Sequence, residues 1–372
     1  MLTSLSLLIR TLMALSRTNW ILLWGAIELN LLRFIPIILH TKNNQETEGS
    51  VKYFLAQALG SALLLISSIS IWIYSSFIPN LIPILLTTSV LLKLGSAPCH
   101  FWYPSVIASI SWISCLILST WQKITPLTIL ALLLPLKDTY FIIVIAGVNA
   151  LVGGIIGINQ RQVRTIIAYS SIGHIGWILR LTAIYKPYIS ISYFLIYSIL
   201  ITPLFLTIIH FNIYSVKHLN KIAAKNLMLH LAVIILLLSL GGLPPLTGFM
   251  PKLVTIVILI ESIQPIVFIL VAGSVINLFF YLNIAINIIS STYTLKPLKP
   301  VKNRIVSAII LATATVSLGI RPLIIIYAMI LLNQSQRYWN FIFYPRHLSR
   351  YNWCWNKPSH PNWTKTTGSI SR

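Results

Sequence analysis

Three lysines, Lys93, Lys123 and Lys252, interrupt apolar runs of this chain instead of flanking them. A lysine at the depth of a hydrocarbon core costs about 2.5–3.5 kcal/mol to insert, so its presence there points to a task. Lys93 lies in LLKLGSAPCHFW (91–102), just before a Gly95/Pro98 interruption. Lys252 lies in LGGLPPLTGFMPKL (240–253), just after Pro244, Pro245 and Gly248. Paired interruptions in two halves of an apolar chain point to a site near the bilayer midplane. The backbone groups they free must be satisfied by protein or line a wet cavity. Lys123, in STWQKITPLTIL (119–130), falls in the span after Lys93 and about one turn before Pro126. Snorkelling from a helix end is the plainer reading of such a lysine, but Trp121 and the apolar flanks set this one deep. Lysine can lose its proton inside a protein and arginine does not, so the three suit proton carriage.

Glu28, mid-run in WGAIELNLLRFIPIIL, is one of only five acids. A carboxyl there either packs through a hydrogen bond to Asn30 or Arg33, or loads and unloads a proton. His100 and His174, the latter in YSSIGHIGW, carry rings that titrate near neutral pH and would bridge between lysines. Each also reads as a satisfied core histidine. No GxGxxG, P-loop, CxxC or HExxH pattern is present, so the expectation is a chain that binds no metal or nucleotide cofactor of its own.

The elements that must position these groups follow from composition. The chain has 372 residues, 57% hydrophobic and 9% charged, with a mean hydropathy of +0.86. A soluble domain carries about 25% charged residues, so this is an all-α polytopic membrane protein. The net charge of +22 does not indicate nucleic acid, because several of the bases lie within or between apolar runs and form no single solvated face. Cys99, Cys115 and Cys354 have no disulfide or metal spacing. The N-terminal run lacks a small-residue cleavage site and reads as a first membrane helix.

Cutting at polar clusters and at Pro/Asn turns gives about 11 transmembrane helices: 2–17, 20–40, 51–77, 81–102, 107–134, 139–159, 163–184, 188–214, 226–258, 262–291 and 304–333. One set of alternate loops collects Lys42, Lys52, Arg161, Arg164, Lys217, Lys221, Lys225 and the 296–304 cluster. The other collects only Arg17, Lys137, Arg180 and Lys186. That excess places the N-terminus on the inner side and the C-terminus outside. The chain divides at this level into a membrane domain, 1–333, and a basic aromatic tail, 334–372. The tail suits a lipid headgroup surface such as cardiolipin, or has no role.

The segments WGAIELNLLRFIP, KLGSAPCHFW, TWQKITPL, NQRQVRTIIAYSSIGHIGW and LSLGGLPPLTGFMPK, in this order and spacing, resemble the antiporter-like membrane subunits of respiratory complex I. The resemblance implies two inverted five-helix repeats, each with a broken helix, and a polar row along the midplane. In that row Glu28 matches the family's glutamate, Lys93 its broken-helix lysine, Lys123 its central lysine and Lys252 the lysine beside the second break. It implies a subunit of a proton-translocating NADH dehydrogenase in the mitochondrial inner membrane, with its N-terminus in the matrix and its C-terminus in the intermembrane space. Its partners would be other membrane subunits of that complex. NADH, FMN, iron–sulfur clusters and ubiquinone would reside in partner subunits. The chain departs from the family pattern at Ser105, where an acid is usual, and at Thr165, where a lysine is common. A free-standing cation/proton antiporter and a non-pumping scaffold subunit are the competing readings.

Overall fold

The computed structural model describes residues 2–16, 19–39, 43–73, 81–133, 139–211, 227–260 and 265–291, every one of them in a single compact unit. The eleventh expected span, the 334–372 tail, Cys354, Arg17, Lys42, Lys137 and the basic residues of the 212–226 and 292–304 segments lie outside the described residues. In a bilayer the backbone must satisfy itself, and the described residues do so as helices. These are α1 (Leu2–Ser16), α2 (Trp20–Ile38), α3 (Asn44–Ile73), α4 (Leu81–Leu94), α5 (Trp102–Ser109), α6 (Trp112–Ser119) and α7 (Trp121–Thr128), which runs into a π-helical turn, Ile129–Leu133. Then come α8 (Thr139–Ile158), α9 (Val163–Ala183), α10 (Pro187–Phe211), α11 (Leu227–Gly241), α12 (Phe249–Ile260) and α13 (Ile266–Ser291). Among the described residues six helical stretches are long and apolar enough to cross a membrane.

Two expectations need correcting. The first interrupted span continues past its break through α5 to Ser109, and the next begins at Trp112 instead of 107. Arg180, counted above as a loop charge, is inside α9 at 1% exposure. The helix extends past it because its stop is formed by Tyr185 at φ 57, with Lys186 N–H on Leu181 O (3.2 Å) and Tyr185 N–H on Thr182 O (3.0 Å).

Neighbour relations repeat along the chain. α1 packs on α2, α2 on α3, α3 on α4, α4 on α7, and α7 returns to α1. In the same order α8 packs on α9, α9 on α10, α10 on α11, α11 on α13, and α13 returns to α8. The broken helix is fourth in both sets. α8 and α9 approach closely: a Cβ on Gly153 would lie 2.6 Å from Gly173 N and one on Gly176 2.7 Å from Ala146 O. Small residues that let two backbones meet are how helices associate where lipid removes the hydrophobic drive. α9 is thereby set at the centre, with α5, α8, α10, α12 and α13 against it and with almost every residue buried.

Candidate functional site

The site is built on two helix interruptions that end alike. In the first, Gly95 (φ +69) closes α4, with its N–H on Leu92 O and Ser96 N–H on Leu91 O, both 3.1 Å. In the second, Gly242 (φ +85) closes α11, with its N–H on Ser239 O (3.0 Å) and Leu243 N–H on Leu238 O (3.3 Å). This is the Schellman stop, which needs a left-handed residue that glycine supplies without strain.

The carbonyls freed at the first break are met by protein. Trp102 Nε1 donates to Leu92 O (3.1 Å), Gln57 Nε2 to Lys93 O (3.2 Å) and Ser96 Oγ to Leu91 O (3.0 Å). Ala97 N–H donates to Asn149 Oδ1 of α8 (2.7 Å), tying this break to the second repeat.

The Lys93 ammonium group is buried and makes no hydrogen bond to the described residues. It edges a cavity of about 30 Å³ lined by Asn30, Tyr53, Gln57, Tyr103, Gln122, Thr125 and Lys123 among others. A polar space of that size admits a water molecule. Glu28 is half-buried and lies within electrostatic reach of both Lys93 and Tyr53. The hydrogen bond anticipated between Glu28 and Asn30 does not form: Asn30 Nδ2 donates instead to Gln122 Oε1 of α7 (3.0 Å), and Glu28 Oε2 is buried without a hydrogen-bond partner.

Lys123 projects from α7 across the same cavity. Its Nζ donates to Ser171 Oγ of α9 (3.1 Å) and lies 4.1 Å from the centre of the Tyr103 ring, a cation–π contact. Ser171 Oγ in turn bonds Tyr103 Oη (3.1 Å). One turn further along α9, His174 Nδ1 meets Tyr193 Oη (3.0 Å), and the ring stands within the electrostatic reach of both Lys123 and Lys252. Lys252 Nζ donates to Gly241 O, the last carbonyl of α11, at 2.8 Å. His100 is held within the first break, with Nδ1 3.3 Å from Pro98 O and the Phe101 ring 4.2 Å from its own.

The structure thus brings Lys93 and Lys123 to one cavity and sets His174 between Lys123 and Lys252. Tyr103, Ser171, Gln122 and Tyr193 were not singled out from sequence. Ser171 was the most accessible of these, since it precedes His174 by three residues and so shares its helix face.

Residues 17–277 match the family described as NADH:quinone oxidoreductase/Mrp antiporter, transmembrane. "NADH-ubiquinone oxidoreductase chain 2" of Lumbricus terrestris is 56% identical over 321 residues, covering 86% of this chain and 96% of the relative. The protein of the same name from Gallus gallus is 37% identical over 301 residues, covering 79% and 86%. Among solved structures, a chain of respiratory complex I from Thermus thermophilus superposes with a TM-score of 0.76 at 21% identity, covering 85% of this chain and 76% of that one. A chain of the Mrp complex from a Dietzia species superposes with a TM-score of 0.71 at 17% identity, covering 85% and 73%. At those identities the likeness is one of fold.

Proposed function

The chain belongs to the NADH:quinone oxidoreductase/Mrp antiporter family of transmembrane subunits, and from that premise we propose that it is a core membrane subunit of respiratory complex I that moves protons across the mitochondrial inner membrane. The observation that carries this reading is the buried row itself. Glu28 acts on Lys93, Lys93 shares a cavity with Lys123, and His174 is under the influence of Lys123 and Lys252. A subunit serving only as scaffold has no use for three buried lysines, each of which is a stability cost.

Electron transfer from NADH to ubiquinone belongs to partner subunits in this reading, and no cofactor resides here. Its effect reaches this chain as a change of field at Glu28. When the Glu28 carboxylate holds a positive Lys93, the proton on Lys93 is retained; when that hold weakens, the proton is released toward Lys123. Charges in a low-dielectric interior act on each other strongly over a few ångströms, so one transfer sets up the next. The excess of basic residues in one set of loops supports a matrix-side N-terminus.

Lys123→Met tests the reading in the assembled complex. Expected are normal assembly on a native gel with NADH-to-ubiquinone turnover and proton pumping both collapsed. Wild-type turnover and pumping would leave a scaffold subunit, and transport by the chain reconstituted alone would make it a free-standing antiporter.

A further inference from the structure

Between Lys123 and His174 the row is not continuous. Lys123 ends at Ser171, and His174 ends at Tyr193. Ser171 and His174 are three residues apart on α9, about 4.5 Å along its axis, further than a proton moves in one hydrogen-bonded step. α10 faces this gap with two tyrosines four residues apart, Tyr193 and Tyr197, hence one above the other on the same side of the helix. Both are buried. The Tyr197 ring centre is 4.9 Å from that of His174. Its hydroxyl is within electrostatic reach of Tyr103, Tyr281, Ser171 and Tyr193 and makes no direct hydrogen bond in this conformation.

We propose, resting on the relay reading above, that Tyr197 and Tyr193 carry the proton between Lys123 and His174, and that Tyr197 is the link left open in the conformation described. The transfer balances as a chain of exchanges. The Lys123 ammonium gives a proton to Ser171 Oγ as the Ser171 proton passes to Tyr197 Oη, the Tyr197 proton to Tyr193 Oη and the Tyr193 proton to His174 Nδ1. Lys123 ends neutral and His174 ends as imidazolium, and rotation of the hydroxyls resets the chain.

The direction of the last step follows from the other side of the ring. His174 also interacts with the backbone carbonyl of Leu240. A carbonyl only accepts, so in the tautomer whose other ring nitrogen carries the hydrogen toward Leu240, Nδ1 is free to receive the proton of Tyr193. Leu240 is the residue before Gly241, whose carbonyl holds Lys252. Closing the link takes reorientation of the Tyr197 hydroxyl toward Ser171 and Tyr193 and of the Ser171 hydroxyl away from Ala168 O, which it meets at 2.7 Å.

The test is Tyr197→Phe, which keeps the ring and its packing and removes only the hydroxyl, with Tyr193→Phe as a second variant in series. Both are measured in the assembled complex in membrane vesicles, beside Lys123→Met. The expected result is wild-type assembly on a native gel with proton pumping and turnover per assembled complex reduced roughly tenfold or more, the effect of removing a positioned proton-transfer group. Wild-type pumping in both tyrosine variants with collapse in Lys123→Met overturns the tyrosine bridge and leaves the relay reading standing. Wild-type pumping in all three overturns the relay reading itself. If one tyrosine variant fails to assemble, the other decides on the same criterion.

Discussion

The two broken helices stop in the same way and then treat their lysines differently. At the second break Lys252 comes after the interruption and turns back to the end of α11, where its ammonium group meets the Gly241 carbonyl. At the first, Lys93 comes before the interruption, its ammonium makes no hydrogen bond to the described residues, and the freed carbonyls are met by Gln57, Trp102 and Ser96. One lysine completes its break and the other is spared from doing so. The difference teaches that a break is only the frame: whether its lysine is available to a cavity depends on what else satisfies the carbonyls.

The comparison predicts its largest effect where the second break closes tightest. A Cβ on Gly248 would run into Ser239 O, which is backbone and cannot give way. Gly248→Ala is expected to prevent incorporation of the subunit, read as loss of the complex on a native gel. Incorporation at the wild-type level would mean that the second break is loose and the contrast with the first is wrong.

Next in size is the exchange of each lysine for methionine. Lys252→Met removes a relay member and also leaves the buried Gly241 carbonyl without its donor, a loss of about 1–3 kcal/mol. Reduced assembly is expected together with lost pumping. Lys93→Met removes an ammonium group that no described residue bonds, so assembly should be unchanged or improved while turnover falls. Equal loss of assembly in the two variants would erase the distinction between a lysine that completes its break and one that does not.

How much of this was legible beforehand depends on cost. A lysine or a glutamate in an apolar run is expensive, so Lys93, Lys123, Lys252 and Glu28 announce themselves, and Gly/Pro clusters mark both breaks. Ser171, Tyr103, Tyr193 and Tyr197 cost little in a membrane helix and announce nothing, because their role comes from which helix they face. The Asn30–Gln122 bond joins positions 92 residues apart, and no local pattern carries that. Arg180 was misplaced for a related reason. The stop of α9 uses Tyr185 in a left-handed conformation, where the sequence offers no glycine to mark it.

A smaller effect is expected at Gly95. Alanine there would be held at φ +69 with its Cβ 2.9 Å from Tyr103 Cβ. The backbone conformation alone costs about 1–2 kcal/mol, and Tyr103, which contacts both Lys123 and Ser171, must shift. Gly95→Ala should therefore assemble, in contrast to Gly248→Ala, but with turnover per complex lowered through Tyr103. Turnover per complex at the wild-type level would show that the position of Tyr103 is not critical to Lys123.

The smallest effect concerns the tie between the repeats. Asn149 accepts from Ala97 N–H and donates to Ile145 O (3.0 Å), so it joins the first break to α8 without touching any lysine of the row. Asn149→Ala leaves the buried Ala97 N–H unpaired, at about 1–3 kcal/mol, and the expected outcome is a lower thermal midpoint of the complex with pumping per turnover retained. The helix end at Gly95 has its own Schellman bonds and does not depend on Asn149. If pumping per turnover falls as well, the first break owes its shape to the second repeat, and the two breaks work as one coupled unit instead of two frames that stop alike.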